Sequence, residues 1–327
     1  MLSSEQVSHF LARVPGTIEN EPMAKHTSFR IGGPARLYFI ANSSETAITA
    51  LQVAQELEIP TMIFGGGSNM LVADEGYQGL MIQMANRAIN IEGTKVTAES
   101  GAITGLVARK SVDAGLTGFE WAIGVPGTIG GAVYGDAGCY GGEMRDTLIS
   151  VDAYRLGDGL RLSLSKQDCQ FGYRESLFKH EPHLLLGCTL ELKPAVDVTA
   201  GKQRMEDIMR QRKEKQPLEQ SSAGCAFKNF EFQDEAEIEL LRREVDVPES
   251  MLKNKSLGAG WLVDQAGLLG QAVGQVEVSM KHGNFLVNKG QARAQDVIGL
   301  ISLIKRKIRD EFGIEMHEEV QYVGFDS

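Results

Sequence analysis

Between residues 34 and 69 the apolar pattern changes period twice and then runs into three consecutive glycines. Residues 34–42 read as a strand ending in a turn. Ser43 or Ser44 then caps a helix whose apolar positions are Ile48, Leu51, Val53, Ala54 and Leu57. Pro60 stops that helix, and residues 61–64 form a short buried strand that leads into Gly65-Gly66-Gly67-Ser68-Asn69. A strand, a helix and a strand feeding a glycine loop define a layered unit of helices and sheet with its loop at a strand end.

The rest of the chain keeps both periods. Residues 79–100 alternate as strands. Residues 101–115 suit a short helix with Ile103, Leu106, Val107 and Ala114 on one face. Strands are expected at 149–154, 160–164 and 184–192, a charged helix at 201–215 ended by Pro217, and an amphipathic helix at 295–312. That last helix turns Val297, Leu300, Ile301, Leu303, Ile304 and Ile308 inward. At 327 residues the chain suggests roughly two domains. We expect an α+β protein, with a cofactor-binding region up to about residue 200 and a second region after it.

A formal net charge of -10 argues against a nucleic-acid binder, which needs a basic face. It does not exclude an anionic ligand in a locally positive site. Cys139, Cys169, Cys188 and Cys225 form no Cys-x-x-Cys pair, so reduced thiols are expected rather than disulfides or a metal site. The start of the chain shows no signal-peptide pattern and no apolar run reaches membrane-spanning length, which leads us to expect a cytoplasmic protein without a membrane partner.

A second glycine-dense stretch covers Gly124, Val125, Pro126, Gly127, Thr128, Gly130, Gly131 and Ala132. Glycine permits the close approach and positive φ by which backbone N–H groups hold a phosphate. Neither loop fits Gly-x-Gly-x-x-Gly or the P-loop, which speaks against a Rossmann dehydrogenase and a nucleoside triphosphatase. Two loops that each carry a hydroxyl, Ser68 and Thr128, suit a diphosphate cradled from two sides. Plain turn chemistry is the alternative.

At these loops the chain resembles the UDP-N-acetylenolpyruvoylglucosamine reductases. The resemblance rests on His26-Thr-Ser-Phe-Arg-Ile-Gly-Gly-Pro-Ala35, Gly65-Gly-Gly-Ser-Asn-Met-Leu71 and Gly124-Val-Pro-Gly-Thr-Ile-Gly-Gly131. Four later segments keep the family's order: Gly172-Tyr-Arg-Glu-Ser-Leu-Phe178, Ser222-Ala-Gly-Cys-Ala-Phe-Lys-Asn229, Ala259-Gly-Trp-Leu-Val-Asp-Gln-Ala-Gly-Leu268 and Val278-Ser-Met-Lys-His-Gly-Asn-Phe-Leu-Val-Asn288. The short segment after Phe178 is similar to the family's second type, which lacks an extra loop that closes over the substrate.

The resemblance implies a two-lobed FAD-binding domain of the vanillyl-alcohol-oxidase-like type over residues 1–200, with lobes of about 1–90 and 91–200. A C-terminal α+β substrate-binding domain would follow over 201–327. It implies non-covalent FAD held by Gly65, Gly66, Gly67, Ser68, Asn69, Met70, Gly124, Val125, Pro126, Gly127, Thr128, Gly131 and Ala132, with NADPH as co-substrate, a UDP-sugar substrate and a monomer. The reaction would be reduction of UDP-N-acetylglucosamine enolpyruvate to UDP-N-acetylmuramate, with hydride passing from flavin N5 to the terminal enolpyruvyl carbon. Arg174 and Glu319 would stabilise the enolate, and Cys225 would deliver the proton. Tyr173, Arg212, Lys215, Gly224, Asn229 and Asn284 would contact the substrate, and no metal is implied.

The physical chemistry of these residues fits those roles. Arg174 offers a carboxylate a permanently charged fork of parallel donors. Glu319 stands beside Glu318, an alternative one position away. Cys225 stands where the family commonly has serine, and a thiol is a competent proton donor near neutral pH. Two further departures are Asp136, where asparagine is common, and Phe230, where proline is usual and the turn is expected to differ. A flavin oxidase of the same fold and a non-catalytic binding protein are the rival readings. The segments around Arg174 and Cys225 argue against both.

Overall fold

Ser43 accepts a hydrogen bond from the Thr46 N–H at 3.2 Å, and the Thr46 hydroxyl accepts one from the Ser43 N–H. This reciprocal cap starts the helix Ser44–Glu56 directly after the strand Pro34–Ala41, as the change of period requires. In this computed structural model, which describes residues 2–325, the chain divides into two compact units. The first comprises residues up to Glu21, Ala35–Gly66 and Gln78–Arg212. The second comprises Pro22–Pro34, Gly67–Tyr77 and everything from Lys213 onward.

Among the described residues the first unit holds two larger sheets, two short two-stranded ones and two cores. One sheet orders its strands Ile18–Pro22, Pro34–Ala41, Tyr77–Met84 and Thr61–Phe64, the last two parallel with Thr61 opposite Leu80. Ile48 and Leu51 of the helix Ser44–Glu56 share a core with Leu37, Leu80 and Ile82 of the sheet, joined by Val7 and Phe10 of an N-terminal helix, Ser4–Arg13, that the apolar pattern had not revealed. The other sheet is antiparallel and five-stranded, in the order Arg161–Ser165, Leu148–Arg155, His183–Glu191, Lys95–Glu99, Ile89–Glu92. Its core gathers Val96, Val107, Phe119, Trp121, Ile129, Val151 and Leu190.

One expected helix face is corrected. Ile103 and Leu106 are 46% and 41% exposed, whereas Thr104, Val107, Ala108, Ser111 and Val112 are buried. The helix Thr104–Asp113 begins after Ile103, which is its N-cap, and the 3.6-residue period then leaves position 106 off the inward stripe.

In the second unit the helix Ala294–Phe312 buries Val297, Leu300, Ile301, Ile304 and Ile308, and Leu303 lies half-buried at the edge of that face. Burying each such side chain contributes roughly 1.5–3 kcal/mol relative to leaving it exposed. The helix packs with a three-stranded sheet, Ala272–Val273, Val276–Val278 and Leu286–Asn288.

Segments distant in sequence complete this unit. Asp74 accepts from the N–H groups of Ala294 at 2.8 Å and Gln295 at 3.2 Å, which satisfies two donors of the first turn. Asn288 donates its amide to Phe29 O at 3.0 Å, and the strand Met70–Val72 runs parallel to Gln321–Val323. Among the described residues no helix is long and apolar enough to cross a membrane.

Candidate active site

The strand Thr61–Phe64 ends at Gly65, whose carbonyl accepts from Gln83 Nε2 at 3.2 Å; Gln83 Oε1 in turn accepts from the Tyr38 hydroxyl. The second glycine loop leaves the 3-10 helix Glu120–Gly124, pairs Thr128 with Ile103 and enters the short helix Ile129–Tyr134. Ile129 and Gly130 donate to Ala102 O and Ser100 O at 2.9 and 2.8 Å, anchoring that entry.

Within the first unit the two loops meet. A Cβ on Gly65 would stand 2.1 Å from Thr128 Oγ1, so a side chain there requires Thr128 to move; one on Gly66 would stand 3.0 Å from Gly127 Cα, a tight contact that requires the second loop to give by a few tenths of an ångström. Gly127 has φ +100°, a conformation L side chains rarely adopt. Thr128 is 8% exposed, and among the described residues its hydroxyl has no hydrogen-bond partner. Leaving such a buried hydroxyl unpaired costs about 1–3 kcal/mol, a cost that a bound acceptor such as a phosphate oxygen removes. A glycine cradle against an unsatisfied donor fits the diphosphate of FAD.

Of the other residues expected to hold the cofactor, Gly124 and Ala132 are buried, Val125 is half-buried, and Pro126 and Gly131 are exposed. Gly67, Ser68, Asn69 and Met70 fall in the second unit. There Gly67 O accepts from Ser28 N at 3.1 Å, and Asn69 Nδ2 donates to Glu319 O at 3.0 Å.

Arg174 lies in the first unit on a tight hairpin in which Gly172 and Glu175 exchange backbone hydrogen bonds of 3.0 Å. Its own φ is +55°. Nη1 donates to Asp136 O at 3.2 Å and Nη2 to Gly138 O at 2.8 Å, while the guanidinium carbon stands 5.1 Å from the centroid of the Tyr173 ring. Lys179 Nζ donates to Arg174 O at 2.5 Å.

The carboxyl of Asp136 is fully buried. It accepts from Arg145 N at 3.0 Å and sits 3.3 Å from Arg145 Nε. Burial raises its pKa, and Glu143 adds to that, while the Arg145 backbone bond and the charges of Arg145 and Arg174 oppose it. Arg212, on the helix Val198–Lys215, is close enough to lower the pKa of Cys139 and Tyr140 against the larger effect of burial. Lys215, at the same helix's end, belongs to the second unit.

The second unit carries Cys225 and Glu319. Cys225 is half-buried and bridges to Phe285; Ala226 donates to Asn284 O at 2.8 Å and accepts from Glu319 N at 2.8 Å. Cys225 and Glu319 therefore lie on neighbouring extended segments. Gly224 precedes the cysteine with φ +80°, and its N–H donates to Ser222 Oγ at 3.1 Å. Glu318, the alternative one position away, gives both carboxylate oxygens to Lys305 Nζ at 2.9 and 2.8 Å.

Two asparagines expected at the substrate also have structural work. Asn284 is 3% exposed; it accepts from Phe227 N at 2.9 Å and donates to Phe227 O at 2.8 Å, which ties down the extended segment that carries Cys225. Asn229 Oδ1 accepts from Ala259 N at 3.1 Å, at the start of the helix Ala259–Gln265. Phe230, one residue on, pairs with Leu257 in a short antiparallel ladder, so the segment is a strand where a proline would have removed a donor. The links of Arg174 to Asp136 and of Glu318 to Lys305 had no signal in residue spacing, although Asp136 stood out as an unusual residue type. Among the described residues no cluster of three His, Cys, Asp or Glu side chains is placed to hold a metal.

Residues 216–323 match the family described as UDP-N-acetylenolpyruvoylglucosamine reductase, C-terminal domain, and residues 35–165 match an FAD binding domain. The chain is 38% identical over 306 residues to the UDP-N-acetylenolpyruvoylglucosamine reductase of Clostridium novyi, covering 93% of this chain and 91% of that protein. It is 35% identical to the enzyme of the same name from Caldanaerobacter subterraneus, with 93% of each chain covered. A solved structure, UDP-N-acetylenolpyruvylglucosamine reductase from Thermus caldophilus, superposes with a TM-score of 0.73 at 31% identity, covering 93% of this chain and 98% of that one.

Proposed function

The chain belongs to the UDP-N-acetylenolpyruvoylglucosamine reductase family, and on that premise we propose how its own residues carry out the reaction. The reaction is the FAD-dependent reduction of UDP-N-acetylglucosamine enolpyruvate to UDP-N-acetylmuramate, a step of bacterial peptidoglycan synthesis, with NADPH as the reductant. When bound, FAD would supply the acceptor for the hydride of NADPH and the hydride donor for the enolpyruvyl double bond.

Gly65, Gly66, Gly127 and Thr128 hold the FAD diphosphate, and the unpaired Thr128 hydroxyl supports that assignment. The residues that hold the cofactor fall before about residue 200, and the residues after it serve the substrate together with Tyr173 and Arg174. Arg174 binds the enolpyruvyl carboxylate, so that negative charge developing on it as an enolate meets a preorganised cation. Its guanidinium is already oriented by the carbonyls of Asp136 and Gly138.

The thiol of Cys225 gives its proton to the carbon that bears the carboxylate, and Glu319 holds or shares a proton at the enolate. The observation behind this pairing is the 2.8 Å bond from Glu319 N to Ala226 O, which keeps the two residues on adjacent segments. Arg212 and Lys215 bind the UDP diphosphate, and Tyr173, Gly224 and Asn229 contact the substrate. Asn284 acts by holding the segment that carries Cys225. With NADPH and a nucleotide sugar as reactants, the enzyme works as a cytoplasmic monomer without a nucleic-acid or membrane partner.

The test is an anaerobic one. NADPH should bleach the flavin absorbance of the purified holoenzyme, and the enolpyruvyl nucleotide should restore it with formation of the saturated product. A reduced flavin that the nucleotide leaves unchanged while oxygen reoxidises it rapidly would instead identify an oxidase.

A further inference from the structure

Asp136 is the departure whose consequence lies closest to Arg174. We propose that Asp136 is a positioning residue for Arg174: anchored on Arg145, it holds a left-handed turn whose carbonyls orient the guanidinium. The proposal rests on the reading of Arg174 as the carboxylate-binding group.

Three observations within the first unit carry it. Asp136 has φ +40°, a left-handed conformation that a non-glycine residue adopts at a cost, least so for Asp and Asn, whose short side chains bond locally. Its buried Oδ1 supplies such a bond, accepting from Arg145 N at 3.0 Å, while Oδ2 lies 3.3 Å from Arg145 Nε. The turn held in this way presents the carbonyls of residues 136 and 138 to Nη1 and Nη2 of Arg174 at 3.2 and 2.8 Å. Two of the five guanidinium N–H donors are engaged in this way, which sets the plane of the guanidinium.

Arg174 has its own backbone in the left-handed region, with φ +55°, so the hairpin and the turn constrain the same side chain from two directions. An error of about 1 Å in a group that orients substrate can cost on the order of a hundredfold in rate. Loss of the turn should therefore appear in substrate reduction and not in flavin reduction.

The decisive experiment measures Asp136→Asn, Asp136→Ala and Asp136→Gly as holoenzymes, each alone and combined with Arg174→Lys. For each, the rate of flavin reduction by NADPH, kcat and KM for the enolpyruvyl nucleotide, and the thermal midpoint are recorded. Asp136→Asn keeps both the tolerance of positive φ and an acceptor for Arg145 N, and should retain kcat/KM within about threefold. Asp136→Ala should lower kcat/KM for the nucleotide by about tenfold or more while flavin reduction stays within about twofold.

If the alanine variant does not fold, Asp136→Gly takes its place, since glycine permits the turn but lacks the acceptor. In the Arg174→Lys background the same substitutions should add less than about a twofold loss, because residues acting through one interaction are not additive. Equal losses in both half-reactions, full additivity with Arg174→Lys, or an asparagine variant as impaired as alanine would overturn the proposal. Arg174→Lys that reduces the nucleotide at the wild-type rate would instead remove the reading of Arg174, and the proposal with it.

Discussion

Gly65 faces Thr128 so closely that a Cβ on the glycine would lie 2.1 Å from the threonine hydroxyl oxygen. The glycine loop at the end of one strand and the loop that opens the helix Ile129–Tyr134 are thus fitted to each other, with a buried hydroxyl at their junction. Gly65→Ala must displace Thr128 and should yield protein purified with little or no flavin. Thr128→Val removes a hydroxyl that has no protein partner among the described residues. It should leave the thermal midpoint of the flavin-free protein unchanged or higher, while weakening FAD binding by on the order of tenfold, the worth of one hydrogen bond to a charged group. Fluorescence titration of FAD into both proteins measures this, and unchanged FAD affinity in Thr128→Val would separate the hydroxyl from the cofactor.

The four cysteines should differ in reactivity. Burial pushes the thiols of Cys139 and Cys169 up to about 11 and that of Cys188 up to about 12. At pH 8 each is thiolate to about one part in a thousand or less, and the thiolate is the form that alkylates. Cys225, half-buried on its bridge to Phe285, should therefore be the first cysteine that iodoacetamide modifies at this pH. Peptide mass spectrometry should find it modified ahead of the other three, with the enolpyruvyl nucleotide slowing the reaction. Cys225→Ser should remain active and resist inactivation. Cys225→Ala should accept electrons from NADPH yet stall before product. Wild-type turnover in Cys225→Ala would show that the proton comes from elsewhere, with Ser222 or a water as the next donor to test.

Glu318 and Glu319 are adjacent in sequence but differently engaged. Glu318→Gln loses a part-exposed ion pair with Lys305, an interaction of about 0–1 kcal/mol, and should change turnover little. Glu319→Gln should lower kcat on the order of a hundredfold, as expected when a proton-transfer group is removed. The reverse ranking would move the role to Glu318.

The buried carboxyl of Asp136 links stability to pH. Its folded-state pKa is raised, chiefly by burial, so the folded protein binds more protons than the unfolded chain. Stability then falls as pH rises from the ordinary aspartate range through the raised folded value. Arg145 and Arg174 face the group and oppose this shift, and Glu143 adds to it. Asp136→Asn, which cannot ionise, should gain in thermal midpoint relative to wild type on going from pH 4 to pH 7. A difference between the two proteins that stays constant with pH would mean that ionisation of Asp136 carries no such cost.

Much of the local structure was legible in the residue pattern, because helix and strand periods are local properties. The change from strand to helix at Ser43, the strand Thr61–Phe64 before the glycines and the long helix Ala294–Phe312 follow from apolar spacing and caps a few residues apart. Where that spacing misled, at Ile103 and Leu106, the start of the helix decided which stripe was buried. The ordered motifs likewise pointed to Arg174 and Cys225 as candidates, and the family resemblance to Glu319, because motif order is readable without any knowledge of contacts.

Partnership was decided only by the tertiary structure. Spacing did not reveal that Gly65 would face Thr128, that Arg174 would hang on the carbonyls of Asp136 and Gly138, or that Asn284 would bind Phe227 and Lys305 would bind Glu318. In the extreme case, Asn288 reaches Phe29 across 259 positions. A hydrogen bond needs its two atoms within about 3 Å, and residue type limits which atoms are able to pair without saying which will meet. Apolar burial, which is non-directional and collective, can be read from a pattern along the chain. Directional polar contacts between distant segments exist only once the fold has brought those segments together.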